Sequence, residues 1–228
     1  LSKNKSQKTI DALRQCLASD PFHGVRMEAA DALKSIHTEE ALDALLESSV
    51  QSDARVRLRV QSAIGGFYNP RALESAMKTI RSESNPTIIN TAMRSLSGYG
   101  NSGIDSILLQ YLREPSYRNT HAESAIAAME KQDNPVFIMP ILETLMERKG
   151  LFSTRGMVNA LSSLAYLGRH QDDKSMLLSF IAGRLQDPKS AVRSGAIRAL
   201  ATLRDPKAIA ILEKWMSADS DSPEYKAA

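Results

Sequence analysis

DPFHGVRMEAADALKSI (residues 20–36) and DPKSAVRSGAIRALATL (residues 187–203) are two copies of one pattern at opposite ends of a 228-residue chain. Each opens on Asp-Pro, places Val-Arg a turn later, and then spaces small and large apolar residues at helical intervals. With Leu33 and Leu200 as anchors, four further copies align on Ile64, Leu96, Ile126 and Leu161, at gaps of 31, 32, 30, 35 and 39 residues. An alanine or serine precedes every anchor: Ala32, Ala63, Ser95, Ala125, Ala160 and Ala199. Four residues before the anchors stand Ala29, Val60, Ala92, Ala122, Met157 and Ala196; three after stand Ile36, Phe67, Tyr99, Met129, Leu164 and Leu203. These offsets share one helical face. A period of this size predicts stacked helical hairpins, a solenoid.

Short side chains beside each anchor have a physical reason, because neighbouring helices approach to ~8–10 Å only where the crossing residues are small. A second amphipathic segment follows each first one, as in Ala41, Leu42, Leu45 and Leu46, and in Ala208, Ile209, Leu212, Trp215 and Met216. Six of the nine prolines follow Asp or Asn: Pro21, Pro70, Pro86, Pro135, Pro188 and Pro206. A capping side chain followed by proline marks a helix start. Gly65, Gly66, Gly98, Gly100 and Gly168 fall near helix ends, where left-handed caps are expected. Pro140 lies inside an apolar helical stretch and is expected to kink it.

The fold class that follows is all-α: a right-handed α-α superhelix of about six hairpins behind a leading helix. Residues 1–19 read as that leading helix, half of a truncated repeat; 20–216 as the repeat array; 217–228 as a polar tail. The chain begins at Leu1 with half a hairpin, so a piece of a longer protein is expected. With 43% apolar residues a core can form, but one hairpin buries too little to offset its own ordering entropy, so the repeats must stabilise one another.

Composition excludes several function classes. A single cysteine, Cys16, leaves no internal disulfide, and its spacing from Ile10 and Leu13 places it near a buried face. No run approaches the ~20 apolar residues that span a bilayer, and no signal segment opens the chain; a cytoplasmic location is the favoured expectation. Zinc hydrolysis on a helix needs His-Glu-x-x-His, so that two imidazoles face one ion. His23, His37, His121 and His170 instead stand singly in different copies. His121-Ala122-Glu123 lacks the two thiolates a zinc deaminase requires. Iron-dependent hydroxylases built on helical repeats carry His-Glu dipeptides as ligands, and none occurs in this sequence. Gly-x-Ser-x-Gly elbows and phosphate-cradling glycine loops are also missing. The expectation is a non-catalytic chain with no catalytic, metal or cofactor residue of its own.

Charge offers weak support for nucleic acid: 29 Lys and Arg against 26 Asp and Glu give a net +3. The second helices mix signs, with Glu39, Glu40, Asp43 and Glu47 in the first and Arg71, Lys78 and Arg81 in the next, which argues against a continuous cationic groove. Arg55 and Arg59 share an outward face and read as solvated or structural charge, with contact to a phosphate or an acidic partner as the alternative. Arg26, Arg57 and Arg193 occupy equivalent positions after Val25, Val56 and Val192. Each is expected to bridge to a capping acid, Asp20, Asp53 or Asp187, in an inter-repeat ladder.

The sequence Asp-Pro-x-x-x-Val-Arg followed by alanines and a leucine resembles HEAT repeats of the short bacterial type, most clearly over Asp20–Leu46 and Asp187–Met216. The resemblance implies an α-solenoid used for protein association. More narrowly, Asp20-Pro21-Phe22-His23-Gly24-Val25-Arg26 with Glu28, Ala29 and Ala30 resembles the helical-repeat region that follows the catalytic domain of bacterial zinc aminopeptidases related to membrane alanyl aminopeptidase. That resemblance implies an accessory domain of a larger enzyme whose zinc and catalytic motifs lie outside this chain, with the catalytic domain of the same polypeptide as a partner. The expected partners are thus protein or peptide. A free-standing scaffold and a helical-repeat nucleic-acid binder are the alternatives. The irregular middle, Pro115–Gly150, is the segment where a partner is expected to dock.

Overall fold

The computed structural model describes residues 6–100 and 102–218; most of the expected polar tail and the first five residues lie outside them. The described residues form thirteen α-helices and no strand: α1 (Gln7–Ser19), α2 (His23–Ile36), α3 (Glu39–Glu47), α4 (Ala54–Ile64), α5 (Pro70–Ser82), α6 (Pro86–Ser95), α7 (Ser102–Arg113), α8 (Thr120–Gln132), α9 (Ile138–Glu147), α10 (Thr154–Gly168), α11 (Ser175–Ala182), α12 (Ser190–Leu203) and α13 (Lys207–Ala218). The fold is all-α, built from stacked antiparallel hairpins.

Two compact units divide the chain, Leu1–Gly100 and Asn101–Ala228. In the first, the even-numbered helices pack side by side, α2 on α4 and α4 on α6, and α1, α3 and α5 form a second layer against them. The leading helix α1 packs on both α2 and α3. In the second unit α8, α10 and α12 stack in the same way, with α7, α9, α11 and α13 packed against them.

All six anchors are buried, from Leu33 to Leu200, and so are all six residues four positions before them. Ile36, Phe67, Met129, Leu164 and Leu203 are buried as well, whereas Tyr99 is half-buried. Tyr99 is polar at one end, and it uses that end: its hydroxyl reaches the carbonyls of Phe67 at 3.0 Å and Asn69 at 3.1 Å and accepts from the Asn69 N–H at 2.9 Å. The loop of one hairpin is thereby clasped by the next. Rings repeat along the same edge. His37 stacks on Phe67 with centroids 4.4 Å apart, and Tyr68 stacks on Tyr99 at 4.9 Å. In each case the residue four after one anchor meets the residue three after the next.

Helix starts follow the Asx-Pro punctuation. Asp20, Asn69, Asn85, Asn134, Asp187 and Asp205 each accept, through the side-chain oxygen, the N–H two residues on. Pro140 does not interrupt a helix. It stands in the first turn of α9, after a 3-10 turn over Pro135–Phe137, where a backbone N–H has no intrahelical acceptor to lose.

The glycines serve a purpose other than the expected one. No described glycine has positive φ; the left-handed residues are His37, Arg118, Asn119, Asp133 and Arg204. His37, Asp133 and Arg204 terminate α2, α8 and α12. Glycine instead permits close approach. A Cβ at Gly156 would lie 1.8 Å from Glu123 Oε1, and one at Gly168 would lie 2.2 Å from Leu177 Cδ1. Gly156→Ala is therefore expected to lower the free energy of unfolding by about 1–3 kcal/mol despite alanine's higher helix propensity. Gly150→Ala, with open space around it, is the control for the same denaturant melts.

Candidate functional site

The burial of the anchor face leaves the opposite face of α2, α4 and α6 outward, at positions two, five and nine before each anchor, and also at position six in α2 and α4, whereas Asn90 at that place in α6 is buried. A groove of ≈630 Å³ crosses these three helices within the first unit. Met27 and Leu58 give it an apolar floor, Ser62 and Thr91 line it with short polar groups, and Arg55, Arg59 and Arg94 stand along it. Gly65 sets its depth on the α6 side, since a Cβ there would come within 2.1 Å of Ser95 Oγ.

The three arginines differ in how far their charge is matched. Arg55 pairs with Asp53 at 2.6 Å, and with the Arg55 backbone N–H this holds the Asp53 carboxyl well below the usual carboxylate range. Arg59 stands 3.3 Å from Asp31. Arg94 donates from Nε to the Asn90 carbonyl at 3.2 Å and forms no ion pair among the described residues. Across the unit, on α3 and α5, the charge is reversed in emphasis: Arg71 is shared between Glu39 and Asp43, and Asn69 Nδ2 donates to Glu39 at 3.0 Å. Among the residues that line the α2–α4–α6 groove, three are arginines and none is acidic, with Asp31 of α2 set against Arg59.

The arginines expected to form a ladder on the carboxylates of Asp20, Asp53 and Asp187 all donate to main-chain carbonyls, and Arg57 also meets an acid. Arg26 Nη1 donates to the Asp20 carbonyl at 2.5 Å, and Arg193 Nη1 to the carbonyls of Asp187 at 2.9 Å and Pro188 at 3.2 Å. Arg57 Nη1 reaches the carbonyls of Gln51 and Ser52, both at 2.9 Å. The carboxylates of Asp20, Asp53 and Asp187 accept the capping N–H groups of Phe22, Arg55 and Lys189. Each arginine thus closes the loop before its own helix. The inter-hairpin carboxylate at Arg57 is Glu83, 2.9 Å from Nε, a partner that its distance along the chain concealed. Arg57 holds the Glu83 carboxyl below its ordinary range, helped by the backbone N–H groups of Asn85 and Ser84.

The second unit presents its stacked face differently. Glu123 accepts from Ser153 N and Oγ, at 3.2 and 2.9 Å, and Glu130 accepts from Ser163 Oγ at 2.6 Å, so acids fill the seam between α8 and α10. A shallower groove of ≈510 Å³ between α10 and α12 carries Arg155, Val158 and Arg198. From the expected docking segment Pro115–Gly150, Leu142 and Met146 join Met176 and Phe180 in an apolar groove of ≈350 Å³ between α9 and α11. His121 is buried against Tyr111, and burial lowers its pKa. Among the described residues no group of three His, Cys, Asp or Glu side chains is placed to hold a metal ion, and no helix is long and apolar enough to cross a membrane.

The pattern behind this architecture is a known one: the family model for HEAT repeats matches residues 1–63 and 157–228, more than half of the chain. The chain belongs to the HEAT-repeat family. The matched stretches contain both of its most regular HEAT copies and the helix α1, and leave out the irregular middle. No match to a curated protein is found. Among solved structures the HEAT array resembles the karyopherin Kap121p, crystallised bound to the extreme C-terminus of the protein phosphatase Cdc14p, with a TM-score of 0.71 and 14% identity over 90% of this chain. The match takes in 25% of that karyopherin chain, so the chain spans about a quarter of its length. It also resembles human deoxyhypusine hydroxylase in complex with glycerol, with a TM-score of 0.50 and 16% identity over 95% of this chain and 91% of that one. At these identities the likenesses establish the fold.

Arg57 and Glu83 supply the test of the ladder. Arg57→Ala removes the guanidinium donor from two loop carbonyls and from a largely buried carboxylate that keeps only its backbone N–H partners, and is expected to cost about 2 kcal/mol in denaturant unfolding at pH 7. Because the folded Glu83 carboxyl titrates below its unfolded value near 4.5, its contribution is complete above that pH. It is lost as pH falls through the folded value. Glu83→Gln should therefore flatten the acid limb of the stability–pH curve as well as lower stability at neutral pH.

Proposed function

We propose that this HEAT array is a non-catalytic binding domain that holds a protein or peptide against its stacked α2–α4–α6 face. The groove across those three helices carries the reading. It combines apolar floor, short polar lining and unevenly matched positive charge on elements that are locked by inter-hairpin packing. A rigid face of this kind loses little conformational entropy on association. Support of a general sort comes from the karyopherin likeness, since that solenoid was crystallised with a polypeptide C-terminus bound. Mixed charge on α3 and α5, and acids in the α8–α10 seam, favour protein over nucleic acid.

The attachment proposed with it is to a larger zinc aminopeptidase-like polypeptide, as an accessory domain with the catalytic domain as neighbour. This part rests on the resemblance of residues 20–30 alone; zinc and peptide-bond hydrolysis would belong to the parent. A reading frame upstream of Leu1 that encodes such a domain supports it, and any other domain there removes it.

An unbiased selection of displayed peptides against the purified chain tests the binding role. The expected outcome is enrichment of peptides that bind saturably, with binding abolished when the chain is unfolded. Failure to enrich any sequence would overturn the reading.

A further inference from the structure

We propose that the groove across α2, α4 and α6 takes an extended acidic peptide, one apolar side chain of which seats on Met27 and Leu58 while its carboxylates face Arg59 and Arg94. This rests on the binding role above and specifies the ligand.

Charge and shape select it together. Arg94 carries no ion pair among the described residues, and Arg59 has only a half-exposed Asp31 at 3.3 Å, so a ligand carboxylate meets guanidinium groups that retain free donor capacity. Arg55 is already held in a chelate by Asp53 and contributes field more than contact. A highly charged ligand without apolar groups would leave Met27 and Leu58 uncovered. A wholly apolar one would desolvate two guanidinium groups without offering an acceptor to their remaining N–H groups. Spacing follows from the scaffold. Neighbouring helices are ~8–10 Å apart and an extended chain advances ~3.3 Å per residue, so consecutive helices are met about every third residue. Carboxylates three residues apart therefore reach Arg59 on α4 and Arg94 on α6. A regular duplex phosphate backbone offers no apolar group for the floor.

The experiment is fluorescence anisotropy with a labelled decapeptide bearing one leucine followed by aspartates three residues apart, titrated with the chain at two salt concentrations. Saturable binding that weakens at higher salt is expected, with losses of about tenfold or more for Arg94→Glu and for Arg59→Glu. Arg81→Glu, on α5 and outside the groove, changes net charge equally and should leave affinity within twofold. Replacing the leucine by serine should weaken binding several-fold, and a lysine-for-aspartate peptide should not bind. Circular dichroism confirms that each variant is folded. Equal losses in Arg81→Glu, no binding of the acidic peptide, or tighter binding of a 20-base-pair duplex at the same arginines would each overturn the proposal. If displayed peptides bind elsewhere and ignore Arg59 and Arg94, the general binding role stands and this assignment of its ligand falls.

Discussion

Each of the two units depends on a shared strip of buried apolar side chains, each hairpin completing the burial that its neighbour within the unit begins. The strip exists because alanine, serine and glycine stand at the crossings. Ala63 beside Ile64, Ala160 beside Leu161 and Ala199 beside Leu200 are buried with their anchors, and at Gly65, Gly156 and Gly168 even a methyl group would collide with a neighbouring side chain. Close crossings let dispersion and burial act over whole helix faces. They also freeze the faces turned the other way, which is why a groove on the outward side of α2, α4 and α6 has a defined shape.

Loops impose the second constraint. Every turn between hairpins leaves carbonyls and N–H groups that the helices cannot satisfy. Asx side chains accept the N–H groups, while arginine and tyrosine side chains cover the carbonyls. Arg26, Arg57 and Arg193 do so from within, Tyr99 from the following hairpin, and Lys174 Nζ does so for the ends of two helices at once, meeting the carbonyls of Arg169, Leu203 and Arg204. Positive charge on the stacked face therefore has two origins: arginines consumed by loop closure, and arginines such as Arg94 that are not.

The period of the anchors made the architecture readable before any coordinate, and the Asx-Pro pairs placed helix starts to within a few residues. Both signals are local in sequence and act through backbone geometry. Less was readable where partners lie a repeat apart. Glu83 as partner of Arg57, and Glu123 nested over Gly156, are separated by 26 and 33 positions, and nothing in either neighbourhood announces the pairing. Glycine misled for a related reason: position near a helix end suggests a left-handed cap, but the need at Gly65 and Gly168 was set by a different helix. The groove escaped notice because its floor residues, Met27 and Leu58, are indistinguishable by type from core. Only Arg55 and Arg59, sharing an outward face, pointed toward it.

The stacked rings give the array a sense of direction. His37, held at φ 56° at the end of α2, sits in a conformation that costs a non-glycine residue about 1–2 kcal/mol, and the ring that steadies it, Phe67, belongs to the following hairpin. Tyr68 leans on Tyr99 in the same sense, and the next equivalent position is Gly100, which has no ring, at the last residue of the first unit. At both ring stacks of that unit the closing ring thus comes from the following hairpin. Folding order and tolerance to truncation acquire a polarity that the near-symmetry of the hairpins would not suggest, with the carboxy-terminal neighbour acting as keystone for the one before it.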